Sequence, residues 1–122
     1  MEANQERRKF LRLNALVDVV YNKVSPSQKV EVSLTKNISK GGICLITYEE
    51  LKVSDNLDLN IYLPENKIPV HVIGRVAWVK DFIICNIPNG KRFDVGIEFL
   101  TITEEDQKKI DKYVFGHSEI EK

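Results

Sequence analysis

Arg7, Arg8, Lys9 and Arg12 fall within six positions of one another near the amino terminus. A guanidinium is a planar fork of donors. It holds a phosphate through two parallel hydrogen bonds, or a guanine through O6 and N7, and its flat face stacks on a base. Three such forks together suit a ligand that carries both phosphates and guanines. Taken alone, the cluster reads equally as a basic tail that keeps the terminus soluble. A second group is Asn37-Ile38-Ser39-Lys40-Gly41-Gly42. Asn and Ser side chains bond to neighbouring backbone and shape tight turns, and Gly41-Gly42 admits positive φ and close approach by a ligand. An amide, a hydroxyl and backbone N–H groups in one turn form a small polar concavity. Taken alone, this turn too is an ordinary strand connection.

Catalytic chemistry finds less support. The chain has no Gly-rich phosphate loop ending in Lys-Ser/Thr, no His-Glu-x-x-His and no Gly-x-Ser-x-Gly. His71 and His117 lack companions that would activate a nucleophile. Asp94 and Glu98 share one strand face, where carboxylates ordinarily face solvent, and no further groups assemble around them. We expect no catalytic residues, no metal ligands and no cofactor. Cys44 and Cys85 are far apart, without metal-ligand spacing, and read as two small apolar core residues in a reducing compartment.

The elements that position these groups follow from composition and periodicity. With 122 residues the chain suits one domain. Lys plus Arg and Asp plus Glu each total 18, so net charge provides no general attraction to nucleic acid or anionic membrane. No stretch has the length of a membrane span, and the charged N-terminus lacks an apolar signal core, so the expected location is cytoplasmic. Residues 1–12 are polar and lack an apolar period, which predicts a flexible arm.

From there a period of two dominates. Leu13, Ala15, Val17, Val19 and Tyr21 share a face, as do Val30, Val32 and Leu34 across a Ser25-Pro26-Ser27 turn. Leu57, Leu59, Ile61 and Leu63 alternate with polar residues. Val70, Val72, Val76 and Trp78 mark a long strand with a bulge at Gly74, and this alternation places Trp78 in the core with Val76. Phe93, Val95, Ile97 and Phe99 form the last face, in which Gly96 permits close approach by a ligand or backbone. Thr103-Glu104-Glu105-Asp106 resembles a helix cap, Ile110, Tyr113 and Val114 have helical spacing, and Gly116 is the expected stop. The pattern predicts an arm over 1–12, an all-β antiparallel barrel over 13–102, a helix over 103–116 and a tail over 117–122.

In this order and on this scaffold, the two polar groups resemble the PilZ domain family. Its pattern is Arg-x-x-x-Arg on an N-terminal loop, then Asp/Asn-x-Ser-x-x-Gly some 20–30 residues later. Arg8 and Arg12 match the first element, and Asn37, Ser39 and Gly42 match the second. Gly74-Arg75-Val76-Ala77-Trp78-Val79 and Asp94-Val95-Gly96-Ile97-Glu98-Phe99 look like the family's later strands. The resemblance runs from about Glu6 to about Phe115.

The resemblance implies a six-stranded β-barrel, with one C-terminal helix, that binds cyclic di-GMP on its outer surface. Arg8 and Arg12 would grip guanine and phosphate, Asn37 and Ser39 would contact a guanine and its phosphate, and Gly42 would close the turn. Arg7, just ahead of the motif, implies an intercalated dimer of the nucleotide. Lys40 and Gly41 in the turn, and Arg75, Trp78 and Gly96 on the later strands, are secondary ligand-binding candidates. As a stand-alone domain it would signal by ordering of the arm and contact with an unidentified downstream protein, without DNA, RNA or membrane insertion. Two alternatives are a PilZ-like adaptor that binds no nucleotide and a small barrel binding single-stranded nucleic acid. The second calls for exposed aromatics interleaved with basic residues on the strands.

Overall fold

The structure is a computed structural model that describes residues 12–24 and 31–118. Its elements are β1 (Arg12–Asn14), β2 (Asp18–Lys23), β3 (Glu31–Ser39), β4 (Gly42–Thr47), β5 (Asn56–Tyr62), β6 (Val70–Ile83), β7 (Lys91–Ile102) and α1 (Glu104–Ser118). Arg7, Arg8, Val30 and the Ser25-Pro26-Ser27 turn lie outside the described residues.

The six strands β2 to β7 close into an antiparallel barrel in the order β3-β2-β5-β6-β7-β4, with β4 returning to pair with β3. Closure removes the open edges that a flat sheet of this size would expose. The alternation seen in sequence supplies the core: Leu57, Leu59 and Ile61 of β5 and Val70, Val72 and Val76 of β6 point inward and are buried. Each contributes about 1.5–3 kcal/mol of transfer free energy, set against the entropy of ordering the chain.

The run from Leu13 to Tyr21 is two strands, not one. β1 pairs with the end of β3, Arg12 opposite Ser39 and Asn14 opposite Asn37, whereas β2 pairs with its beginning. The buried Thr35 spans the interruption. Its hydroxyl accepts from Val17 N (3.1 Å) and donates to Ala15 O (2.7 Å), and its own N–H donates to Val17 O (2.9 Å). These bonds satisfy backbone groups that the missing ladder leaves open. They also reverse the expected facing of β3: Ser33 and Thr35 are buried and Leu34 is exposed. The Ser33 hydroxyl is satisfied by the Ile46 carbonyl.

Register irregularities then shift the phase of the strands. Lys36 is an extra residue in β3 opposite β4, since Thr35 pairs with Leu45 but Asn37 with Cys44. β6 is one continuous strand that includes Phe82 and Ile83. Against β7 the pairing slips beside Gly74, but there the extra residue is Leu100 of β7, since Ile73 faces Thr101 and Gly74 faces Phe99, so Gly74 is not the bulge its sequence suggests. β6 itself gains an extra residue at Ala77, where Val76 faces Ile97 but Trp78 faces Gly96. A bulge adds one residue and reverses the facing of the residues after it.

α1 begins as predicted: Asp106 N donates to Thr103 Oγ1 (3.1 Å), and Ile110, Tyr113 and Val114 are buried against the barrel. The helix continues through Gly116 to Ser118, because without a positive φ that glycine gives no helix-ending turn. Cys44 is buried but Cys85 is exposed in the turn after β6, contrary to its core assignment. Asp94 is also buried rather than solvent-facing, held by Lys36 Nζ (2.9 Å) and Arg92 Nη2 (3.0 Å).

Candidate functional site

Leu13, Ile38, Ile43, Ile97 and Val76 pair side by side across five strands. All five are buried, so this row points into the barrel. Side chains alternate along a strand, and the rows on either side of it therefore face outward. One outward row is Asn14, Asn37, Cys44, Gly96 and Trp78. The other is Ser39, Gly42, Glu98 and Arg75, with Ser39 Oγ donating to Gly42 O across the turn (3.3 Å) and Arg12 of β1 in register opposite Ser39. Almost every residue singled out in the described sequence falls on these two rows.

The rows enclose a concavity of about 260 Å³ whose wall includes Asn37, Ser39, Gly42, Trp78, Gly96 and Glu98. The extra residue Lys36 puts Asn37 and Ser39 on the outer face. Unbroken alternation from the inward Thr35 would have turned them into the core. Ala77 does the same for Trp78, which is 47% exposed and not a core residue as its spacing from Val76 suggests. Two bulges thus aim the amide, the hydroxyl and the indole at one place.

The glycines have a different role from the one the sequence suggests. No described glycine has a positive φ. Gly42 is needed because a Cβ there would strike the backbone carbonyl of Ile97, and Gly96 because a Cβ would overlap the Trp78 indole, with Cδ1 at 2.7 Å. The indole therefore lies directly on the Gly96 backbone as one wall of the concavity.

Gly41 also lines the concavity and accepts from Phe99 N (3.0 Å). Lys40 is exposed on the turn and outside that wall, its carbonyl accepting from Gln107 Nε2 of α1 (3.1 Å). The Arg75 guanidinium reaches Glu98 Oε2 through Nε (2.8 Å) and through Nη2. Glu98 is the residue that motif reading passed over. Its place two positions after Gly96 on one strand was the available signal.

A larger concavity of about 740 Å³ lies where β2 and β4 end and β3 begins. Among the described residues its wall carries Asp18, Glu31 and Glu49 against one cation, Arg92, a balance that disfavours a phosphate ligand. Size points to this concavity, whereas the polar turn residues Asn37, Ser39 and Gly42 line the smaller one.

The sequence matches the family model described as PilZ domain over residues 6–116. No curated relative matches it. Among solved structures it is similar to the Bacillus subtilis inhibitor of motility, MotI/DgrA, at 24% identity and a TM-score of 0.75, covering 95% of this chain and 53% of that one. It is similar to the PilZ domain with c-di-GMP of YcgR from Escherichia coli, at 11% identity and a TM-score of 0.71, covering 94% of each. It is also similar to the K. pneumonia MrkH–c-di-GMP complex, at 16% identity and a TM-score of 0.70, covering 95% of this chain and 55% of that one. The chain thus spans about half the length of MotI/DgrA and of MrkH, and at these identities the likeness is one of fold.

Proposed function

Since the chain belongs to the PilZ domain family, we propose that it is a receptor for cyclic di-GMP. The observation that carries this reading is the shared outer face. Asn37, Ser39, Gly42, Trp78 and Gly96, spread over four strands, converge on one concavity, and β1 delivers Arg12 to the position opposite Ser39. Two relatives of the same fold are described as bound to c-di-GMP, which supports the choice of ligand.

In this reading a guanine enters the concavity and lies along the Trp78 indole, with Asn37 and Ser39 at its polar edge. The phosphates lie outside it, where Arg7, Arg8 and Arg12 approach from the chain leading into β1. Two stacked nucleotides bring four phosphate charges, and the third fork at Arg7 helps to hold them. Ligand that bridges the N-terminal arm and the Asn37 turn fixes the arm against the barrel. The reshaped surface is then read by a downstream protein.

Isothermal titration calorimetry with cyclic di-GMP tests the proposal. Binding at micromolar concentration or tighter is expected, weakened by about ten- to one-hundredfold in Arg8→Ala or Ser39→Ala, as loss of a hydrogen bond to a charged group implies. Two nucleotides per chain are expected, and a stoichiometry of one contradicts the role of Arg7. Absence of binding by the folded wild-type protein overturns the receptor reading in favour of an adaptor.

A further inference from the structure

We propose that Glu98 is a base-specificity residue: its carboxylate accepts hydrogen bonds from the Watson–Crick edge of the bound guanine, and Arg75 positions it. This role rests on the receptor reading above and falls to a residue outside the two family motifs.

Among the described residues, Glu98 is the one charged side chain in the wall of the 260 Å³ concavity, and no cation shares that wall. The volume lies below the roughly 300–1,000 Å³ typical of sites that enclose a whole small-molecule ligand, so the concavity takes one flat ring of a larger molecule. A carboxylate accepts and cannot donate. Placed against a phosphate it repels, so it must face a part of the ligand that presents N–H groups. Guanine presents two adjacent donors, N1–H and the N2 amino group. Adenine presents a bare N1 acceptor at the corresponding position, and hypoxanthine keeps N1–H but lacks the amino group. Of these bases, guanine satisfies a carboxylate best.

The carboxylate is also held in place. Glu98 pairs with Gly42 on one side and Arg75 on the other, and both the Nε and Nη2 of Arg75 converge on Oε2. Among the described residues Oε1 receives no hydrogen bond. An acceptor anchored through one oxygen, in the wall of a ring-sized space, is a preorganised recognition group. Sites built to hydrogen-bond a ligand donor discriminate strongly against analogues that lack it, because their own polar group is left unpaired.

The test pairs a variant with a ligand analogue. Calorimetry measures cyclic di-GMP and cyclic di-IMP, in which hypoxanthine replaces guanine, on the wild-type protein, Glu98→Gln and Arg75→Ala. Wild type is expected to prefer the guanine ligand by about tenfold or more. In Glu98→Gln, cyclic di-GMP weakens by a similar factor and the preference collapses toward one, because the carboxamide adds a donor where an acceptor is needed. Arg75→Ala, with its carboxylate unanchored, lies between. Equal weakening of both ligands by Glu98→Gln, with the preference intact, means that Glu98 serves only its ion pair and overturns the proposal. Wild-type binding of cyclic di-GMP with no preference over the inosine analogue also overturns it while leaving the receptor reading standing. No binding of either ligand by wild type defeats both. A circular dichroism melt of each variant shows that it is folded, and the half-exposed Glu98 side chain makes that the expected result.

Discussion

At the scale of single residues, the two site glycines look alike in sequence and differ in what surrounds them. A methyl group at Gly42 meets the Ile97 carbonyl, which the β4–β7 ladder holds in place, whereas one at Gly96 meets the indole of Trp78, a side chain with room to swing outward. Gly42→Ala is therefore expected to cost about 1–3 kcal/mol, as overpacking against fixed atoms does, and to lower the melting temperature by about 4 °C for each kcal/mol. Gly96→Ala should cost little stability but unseat the indole and remove a wall of the concavity, so cyclic di-GMP affinity falls while the melt barely moves. Trp78 is the only tryptophan of the chain, so its fluorescence reports on the site directly. A red-shifted emission in Gly96→Ala together with a near wild-type melt is the expected pair of results. An unchanged emission would contradict the packing.

At the scale of elements, the local interruptions of the strands build the site. The bulges at Lys36 and Ala77 turn Asn37, Ser39 and Trp78 outward, and the break bridged by Thr35 lets β1 run alongside Asn37–Ser39. Thr35→Val keeps the shape but abandons Val17 N and Ala15 O, and leaving buried backbone groups unpaired costs about 2–4 kcal/mol for the two. The urea midpoint should fall with an unchanged slope. Faster hydrogen exchange is expected at Leu13 and Asn14, and ligand binding should weaken because β1 sets the position of Arg12. Equal protection of β1 in variant and wild type would refute the staple.

These interruptions also mark the limit of what the sequence discloses. Spacing of the polar motifs and the alternation of β5 are legible because each is a repeated pattern. A bulge is a single extra residue with no composition of its own. Lys36 and Ala77 look like any strand residue, so Trp78 reads as core and the outward turn of Asn37 and Ser39 leaves no mark in the spacing. Thr35 is buried for its hydroxyl, a reason that hydrophobicity does not express. Glu98 was visible as an outward neighbour of Gly96, but its importance needed the Arg75 pairing.

At the scale of the whole molecule, the barrel has two unlike ends. α1 packs over β1, β3 and β6 and ties to the site turn through Gln107 and the Lys40 carbonyl. At the other end, Tyr21 reaches inward from β2 and donates to Glu49 Oε2 at 2.7 Å, linking β2 to the segment after β4 across β3. Burial, and then the hydrogen bond to Glu49 and the charges of Glu49 and Glu31, raise the Tyr21 pKa well above the ordinary phenol range. The folded state therefore retains this proton where the unfolded chain, with a phenol near pKa 10, releases it. The stabilisation is complete below about pH 10 and is lost as pH rises above it, at up to about 1.4 kcal/mol per pH unit. Tyr21→Phe removes the titration. It is expected to cost about 0.5–1.5 kcal/mol at neutral pH, the worth of one hydrogen bond, and to lose less stability than wild type between about pH 10 and 11.5. Tyr113, whose pKa is also raised by burial, is present in both proteins, so the difference between the two curves isolates Tyr21. Parallel urea-midpoint curves for the two proteins across that range would show that the phenol does not close this end of the barrel in the manner described.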